Sequence, residues 1–111
     1  MTTGQPVPEV PVSAVPSDGW ILDVREDDEW AAGHVPGATH IPLGQLGQRT
    51  AEIPSDQEVY VICRSGHRSG RATQALVGAG WQAVNVAGGM QRWAAEGRTM
   101  VSDNGAAPRV A

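Results

Sequence analysis

Of 111 residues only one is cysteine, and its surroundings set it apart. Cys63 stands in EVYVICRSGHRSG (residues 58–70), where an apolar run breaks into Arg, Ser, Gly and His. A lone cysteine is commonly a small buried hydrophobe and nothing more. The context here argues for chemistry. If a strand ends at Ile62 and a helix begins near Ser69, the six residues from Cys63 to Arg68 curl around one point. Successive N–H groups in such a turn aim inward as an anion nest, and the N-terminus of the next helix adds partial positive charge. Arg64, His67 and Arg68 stand beside it. Each of these favours thiolate over thiol, and the thiolate is the nucleophile. Gly66 lets the backbone approach whatever occupies the loop. Ser69 reads first as the N-cap of the following helix, with a hydroxyl within reach of the sulfur.

Such a loop needs a strand to deliver the cysteine and a helix to close the turn. EVYVIC is the strongest strand in the chain, β-branched and aromatic with no breaker. SGRATQALVGAGW places Ala72, Ala75, Leu76 and Ala79 at helical spacing, closed by Gly80. Upstream, GWILDV (19–24) reads as a buried strand, and REDDEWAAGH as a short helix with an acidic first turn and a stop at Gly33. HVPGATHIP (34–42) reads as turn, short strand and turn, and LGQLGQRTAEIP as a weak helix interrupted by two glycines. QAVNVAGG and MQRWAAEG supply a further strand and a final short helix. Strands alternating with helices predict an α/β fold, a parallel sheet with helices on both faces. Ligands of such sheets bind outside the carboxyl ends of the strands, where Cys63 falls. Residues 1–8 read as a Pro-rich arm with an edge strand near Glu9 to Val12, residues 9–98 as one domain, and residues 99–111 as a loosely held tail.

Composition narrows the partners. Twelve acids face eight arginines and no lysine, a formal net charge of −4, which argues against a nucleic-acid partner. Arg64, Arg68 and Arg71 nonetheless make one local cationic spot within eight residues free of acid. One cysteine fits a reducing, cytoplasmic setting. The N-terminus does not look like a signal peptide, and no apolar run is long enough for a membrane span. His34, His40 and Cys63 make no recognisable metal-ligand spacing, and no cofactor is expected.

CRSGHRS resembles the active-site loop of the rhodanese (thiosulfate sulfurtransferase) family, in which a cysteine carries a transferable sulfur as a persulfide. ILDVREDDEWAAGHVPGATHIP (21–42) is similar to that family's N-terminal signature, and VNVAGGMQRW (84–93) to its C-terminal one. The resemblance covers roughly residues 8 to 98 and implies a rhodanese-like three-layer fold. It implies a double displacement: Cys63 takes the outer sulfur of a donor such as thiosulfate, and a cyanide or thiol acceptor removes it. The loop N–H groups from Arg64 through Ser69, Ser65 included, would stabilise the anionic persulfide, with Arg68 fixing the loop and attracting the donor and Arg64 at the rim. Asp23 and Arg25 match the family's Asp-x-Arg and are expected to support the site structurally. Gly88 and Gly89 are expected to permit a tight turn close to the loop.

Two other functions stay open. Cys63 could serve a non-enzymatic persulfide carrier that works between a protein donor and a protein acceptor. A cysteine phosphatase is disfavoured by loop length: its Cys and Arg are separated by five residues, whereas Cys63 and Arg68 are separated by four, a tighter ring suited to one terminal sulfur.

Overall fold

The structure is a computed structural model that describes residues 7–111. Most of the Pro-rich arm, residues 1–6, lies outside the described residues. Among the described residues five strands form one parallel sheet in the order β1-β5-β4-β2-β3. They are β1 (Glu9–Pro11), β2 (Trp20–Asp23), β3 (Thr39–His40), β4 (Glu58–Ile62) and β5 (Gln82–Ala87). Three α-helices among the described residues accompany them: α1 (Asp27–Ala32) between β2 and β3, α2 (His67–Gly78) between β4 and β5, and α3 (Gly89–Ala95) after β5.

Side chains on a strand alternate between faces, and β4 shows how this divides the core. Val59, Val61 and Cys63 join Leu22, Ile41, Ala72 and Leu76 on the α2 side. Tyr60 and Ile62 join Val84, Val86, Met90 and Trp93 on the α3 side. Two apolar layers around a central sheet bury β4 on both faces from Val59 onward, which is why its sequence loses the polar alternation of a half-exposed strand.

Residues 43–52 differ from the expected helix. They form two 3₁₀ segments, Leu43–Gln48 and Thr50–Glu52. Gly44 and Gly47 weaken an α-helix there, and the 3₁₀ turn brings residues three apart onto one face. Leu43 and Leu46 have that spacing and both pack into the α2-side core. Helix α1 ends before Gly33, although Gly33 is extended rather than left-handed. Its need for glycine is a close approach: a Cβ there would overlap the Arg109 backbone and the Met100 side chain.

The segment expected as a loose tail lies along α1. His34 and Val101 exchange backbone bonds at 2.9 Å, Asp103 N–H donates to Ala31 at 2.9 Å, and Arg109 N–H to Ala32 at 3.0 Å. Met100 and Val110 pack against the α3-side core. Among the described residues no helix is long and apolar enough to cross a membrane.

Candidate active site

Strand β4 delivers Cys63 just past its carboxyl end, 1% exposed. The turn that follows is shorter than the sequence suggests. Gly66 is left-handed, with φ at 109°, and acts as the N-cap, so α2 begins at His67. Ser69 is therefore not the N-cap; it lies three residues inside the helix, where its N–H is still free of an intrahelical partner. The serine-before-apolar pattern pointed to the wrong residue because glycine reached the required conformation first.

Helix α3 sets the direction of the loop's peptides. Met90 N–H donates to the Cys63 carbonyl at 2.8 Å and Gln91 N–H to the Arg64 carbonyl at 3.0 Å. Gly89, at φ 55°, sits so close beneath these carbonyls that a Cβ would strike them. With its carbonyls drawn toward α3, the loop turns its N–H groups back to the sulfur. Gly66 N–H donates to Cys63 Sγ at 3.1 Å, and the Ser69 hydroxyl lies 3.2 Å from the same atom.

Burial pushes the Cys63 thiol up, but the Ser69 hydroxyl and the backbone N–H groups of Ser69, Gly66 and Ser65 outweigh it, and the thiol lies below its ordinary value. These hydroxyl and amide contributions, rather than the flanking arginines, lead the lowering. Arg68 faces elsewhere: it forms a bidentate pair with Glu29 of α1, at 2.7 and 2.8 Å. Arg68 holds the Glu29 carboxyl down at about 2, while Glu29 raises the Arg68 guanidinium. Glu29 in turn accepts the Glu26 N–H in a capping box that starts α1. Arg64, Ser65 and His67 are exposed at the rim, and Arg64 Nε donates to the Ala111 carbonyl at 3.1 Å.

Asp23 and Arg25 are fully buried beneath this assembly. Asp23 accepts from Arg25 N–H, Nε and Nη2, and Arg25 Nη2 also donates to the Gly33 carbonyl at 2.7 Å. Neither touches the sulfur through a hydrogen bond; together they tie the end of β2 to the end of α1. His34 and His40 each stack on Trp30, with ring centroids at 3.6 and 4.8 Å. His34 Nδ1 bonds the Trp30 carbonyl and His40 Nε2 the Arg25 carbonyl, both at 2.7 Å. Among the described residues no three acidic, His or Cys side chains gather to hold a metal ion.

Two residues of the site escape the sequence reading. Glu29 belongs to an acidic run, and nothing local pairs it with an arginine 39 positions away. Asn85 is buried in β5, accepts from the Ser69 hydroxyl at 2.5 Å and donates to the Gly66 carbonyl at 3.2 Å. Its signal was visible: a lone amide in AVNVA, an otherwise apolar strand, must find buried partners.

Comparison with known proteins agrees with this architecture. Residues 12–96 match the rhodanese-like domain family. The chain is 45% identical over 74 residues to YrkF of Bacillus subtilis, proposed by name as a sulfur carrier protein. That stretch is 66% of this chain and spans only 40% of YrkF. A protein named sulfurtransferase from Allochromatium vinosum is 36% identical over 89 residues, 79% of this chain and 83% of that one. A rhodanese-related protein of Thermoplasma volcanium superposes with a TM-score of 0.80 at 30% identity, covering 85% of this chain and 97% of its own. With the family match covering most of its length and the cysteine loop in its expected place, the chain belongs to the rhodanese-like domain family.

Proposed function

We propose that this protein is a sulfurtransferase that carries sulfane sulfur as a persulfide on Cys63. The observation that carries the reading is the sulfur's setting: a buried thiol bonded by the Gly66 N–H and the Ser69 hydroxyl at the mouth of α2. The names of the relatives support sulfur transfer as the general chemistry.

The cycle has two displacements. The Cys63 thiolate attacks the outer sulfur of thiosulfate or a related donor; the new Sγ–S bond forms as the donor's S–S bond breaks, and sulfite leaves with the bonding pair. The negative charge then rests on the transferred sulfur, within a fixed set of amides that needs no rearrangement to receive it. A nucleophilic acceptor, cyanide or a cellular thiol, attacks that outer sulfur and Cys63 leaves as thiolate. The acceptor comes from outside these 111 residues, which hold no second cysteine. Exposed Arg64 attracts the anionic donor at the rim. The Arg68 fork is already filled by Glu29, which further weakens the phosphatase reading, since no free guanidinium is left to bind phosphate oxygens from that position.

The test is intact mass after brief exposure to thiosulfate and then cyanide, on wild type and Cys63→Ser. Wild type gains one sulfur atom and loses it to cyanide, and the variant gains nothing. No gain in wild type removes thiosulfate as the donor. The carrier reading, favoured by the name of YrkF, then predicts loading from a persulfidated protein donor but not from the small anion.

A further inference from the structure

Ser69 has one hydroxyl proton and two acceptors. Its Oγ lies 2.5 Å from Asn85 Oδ1 and 3.2 Å from Cys63 Sγ, and all three residues are buried. The Asn85 amide cannot turn over to relieve the competition. Its Nδ2 donates to the Gly66 carbonyl at 3.2 Å and to the Glu9 carboxylate at 3.0 Å. Turning it would set an oxygen against both acceptors. Asn85 Oδ1 is therefore held toward Ser69, and the hydroxyl must be the donor.

One proton cannot serve both acceptors at once, so the charge on sulfur decides which it serves. When Cys63 is a thiol, its S–H donates to Ser69 Oγ and the hydroxyl donates to Asn85, leaving every group paired. When Cys63 is a thiolate, the hydroxyl turns to sulfur in a charge-assisted bond, and Asn85 Oδ1 loses its donor. Loading reverses this. Once the charge has passed to the transferred sulfur, Sγ is a neutral, weak acceptor and the hydroxyl returns to Asn85.

We propose that Asn85 is a positioning residue that acts through Ser69: its fixed carbonyl gives the hydroxyl a second place to bond, so the bond to Cys63 forms when Sγ is charged and is released when sulfur is loaded. Glu9, opposite Asn85 in the β1–β5 register, holds the amide in that orientation. The place of this switch in the cycle rests on the sulfur-transfer reading. The competition for the proton does not, because it exists in the unloaded site.

The charged and titratable groups around the loop are Arg64, with His67, Arg68 and Arg71 on α2, Glu26 at the cap of α1 and Asp27, Asp28 and Glu29 within it, Asp23 at the end of β2 and Arg25 just after it, Glu58 on β4, Arg92 on α3, and Glu9 on β1. None is substituted in the test below. The one partner that Glu9 loses in Asn85→Ala is lost equally in the Ser69→Ala background, so the comparison between backgrounds removes its influence on Cys63. The rate of alkylation by iodoacetamide is followed against pH for wild type, Ser69→Ala, Asn85→Ala and the double variant. Ser69→Ala raises the midpoint and slows alkylation at neutral pH roughly tenfold, the ordinary worth of one hydrogen bond to a charged group. Asn85→Ala lowers the midpoint and speeds alkylation at neutral pH several-fold, because the hydroxyl then serves sulfur alone. In the Ser69→Ala background the Asn85 change has no effect. An equal effect with and without Ser69, or a raised midpoint in Asn85→Ala alone, overturns the proposal.

A folding defect in Asn85→Ala would not leave the matter open, because a second measurement needs no change at that position. In wild type the ¹³C resonance of the Asn85 side-chain carbonyl follows the Cys63 titration, and in Ser69→Ala that response is lost. A carbonyl that ignores the titration in wild type overturns the proposal. Neither measurement uses a sulfur donor, so failure here and failure of the sulfurtransferase reading are separate results.

Discussion

Two carboxylate–arginine forks lie near the candidate site, alike in chemistry and unlike in setting. Asp23 and Arg25 are two residues apart, and both side chains are 0% exposed. Glu29 and Arg68 are 39 residues apart and join α1 to α2, with side chains 14% and 32% exposed. The inner fork comes from one short stretch of chain and spends its bonds on the scaffold, including the Gly33 carbonyl. The outer fork forms only when the domain is assembled, and water can reach it. Burial of an ion pair matters chiefly when one member is removed: a sealed charge left alone has nothing to replace its partner. The inner fork should thus govern folding, and the outer one should tune the site.

The largest effect is expected from Arg25→Met, which strands the Asp23 carboxylate. The expected cost is ~3–5 kcal/mol, a large share of the ~5–15 kcal/mol that a domain of this kind possesses. Urea denaturation measures it. Replacing both members, Asp23→Leu with Arg25→Met, should recover much of that loss, because no charge is then left buried. A single variant that loses no more than a break in the outer fork does would place the inner fork on the same footing as the outer.

The outer fork carries an acid signature. Arg68 holds Glu29 at about 2, below its ordinary 4.5, so the unfolded chain takes up this proton more readily than the folded one. Its stabilisation is complete above pH 4.5 and is lost as pH falls through about 2. A shift of that size corresponds to about 3–4 kcal/mol unscreened, and because water reaches the Arg68 side of the fork the expected worth is roughly 2–3 kcal/mol. Glu29→Gln should forfeit this amount at neutral pH and flatten the stability profile in that acid window, while the chain still folds. It also leaves the Arg68 charge uncompensated beside the loop. Loading from thiosulfate should then quicken a few-fold at low salt and return toward wild type as salt is raised, whereas Arg68→Ala should show no such gain. An unchanged acid profile in Glu29→Gln would remove the outer fork from the stability argument.

These forks also mark how far the sequence could be read. Asp23 and Arg25 stand out as supporting residues through the resemblance to the family's Asp-x-Arg, but that the two bond to each other is seen only in the fold. Strands β2, β4 and β5 announced themselves through β-branched runs, and Cys63 through the abrupt end of one. Arg68 was expected to fix the loop and attract the donor; its bidentate partner Glu29 was not legible, because it lies on another helix and only tertiary packing brings the two together. The start of α2 was misread by two residues, since the left-handed Gly66 leaves no trace in hydrophobic periodicity. The contacts of residues 99–111 along α1 were invisible for a related reason. They run largely through backbone groups and the absent side chain of Gly33, which pattern reading does not count.

The smallest effect completes the series. Arg92 in the last turn of α3 and Glu96, which caps that helix, form the same kind of pair, with the arginine side chain 65% exposed. The Arg92 Nε–Glu96 Oε2 distance is 2.8 Å, as short as the bonds of the buried forks. If distance set the worth of an ion pair, Arg92→Gln would cost as much as Glu29→Gln. Solvent screening and the entropy of holding two long side chains argue otherwise, and the expected cost is about 0.5 kcal/mol or less. Measured beside the other variants under the same conditions, the three pairs should rank by burial at nearly constant bond length. A loss at Arg92 as large as that at Glu29 would mean that geometry, rather than access to water, ranks the ion pairs of this domain.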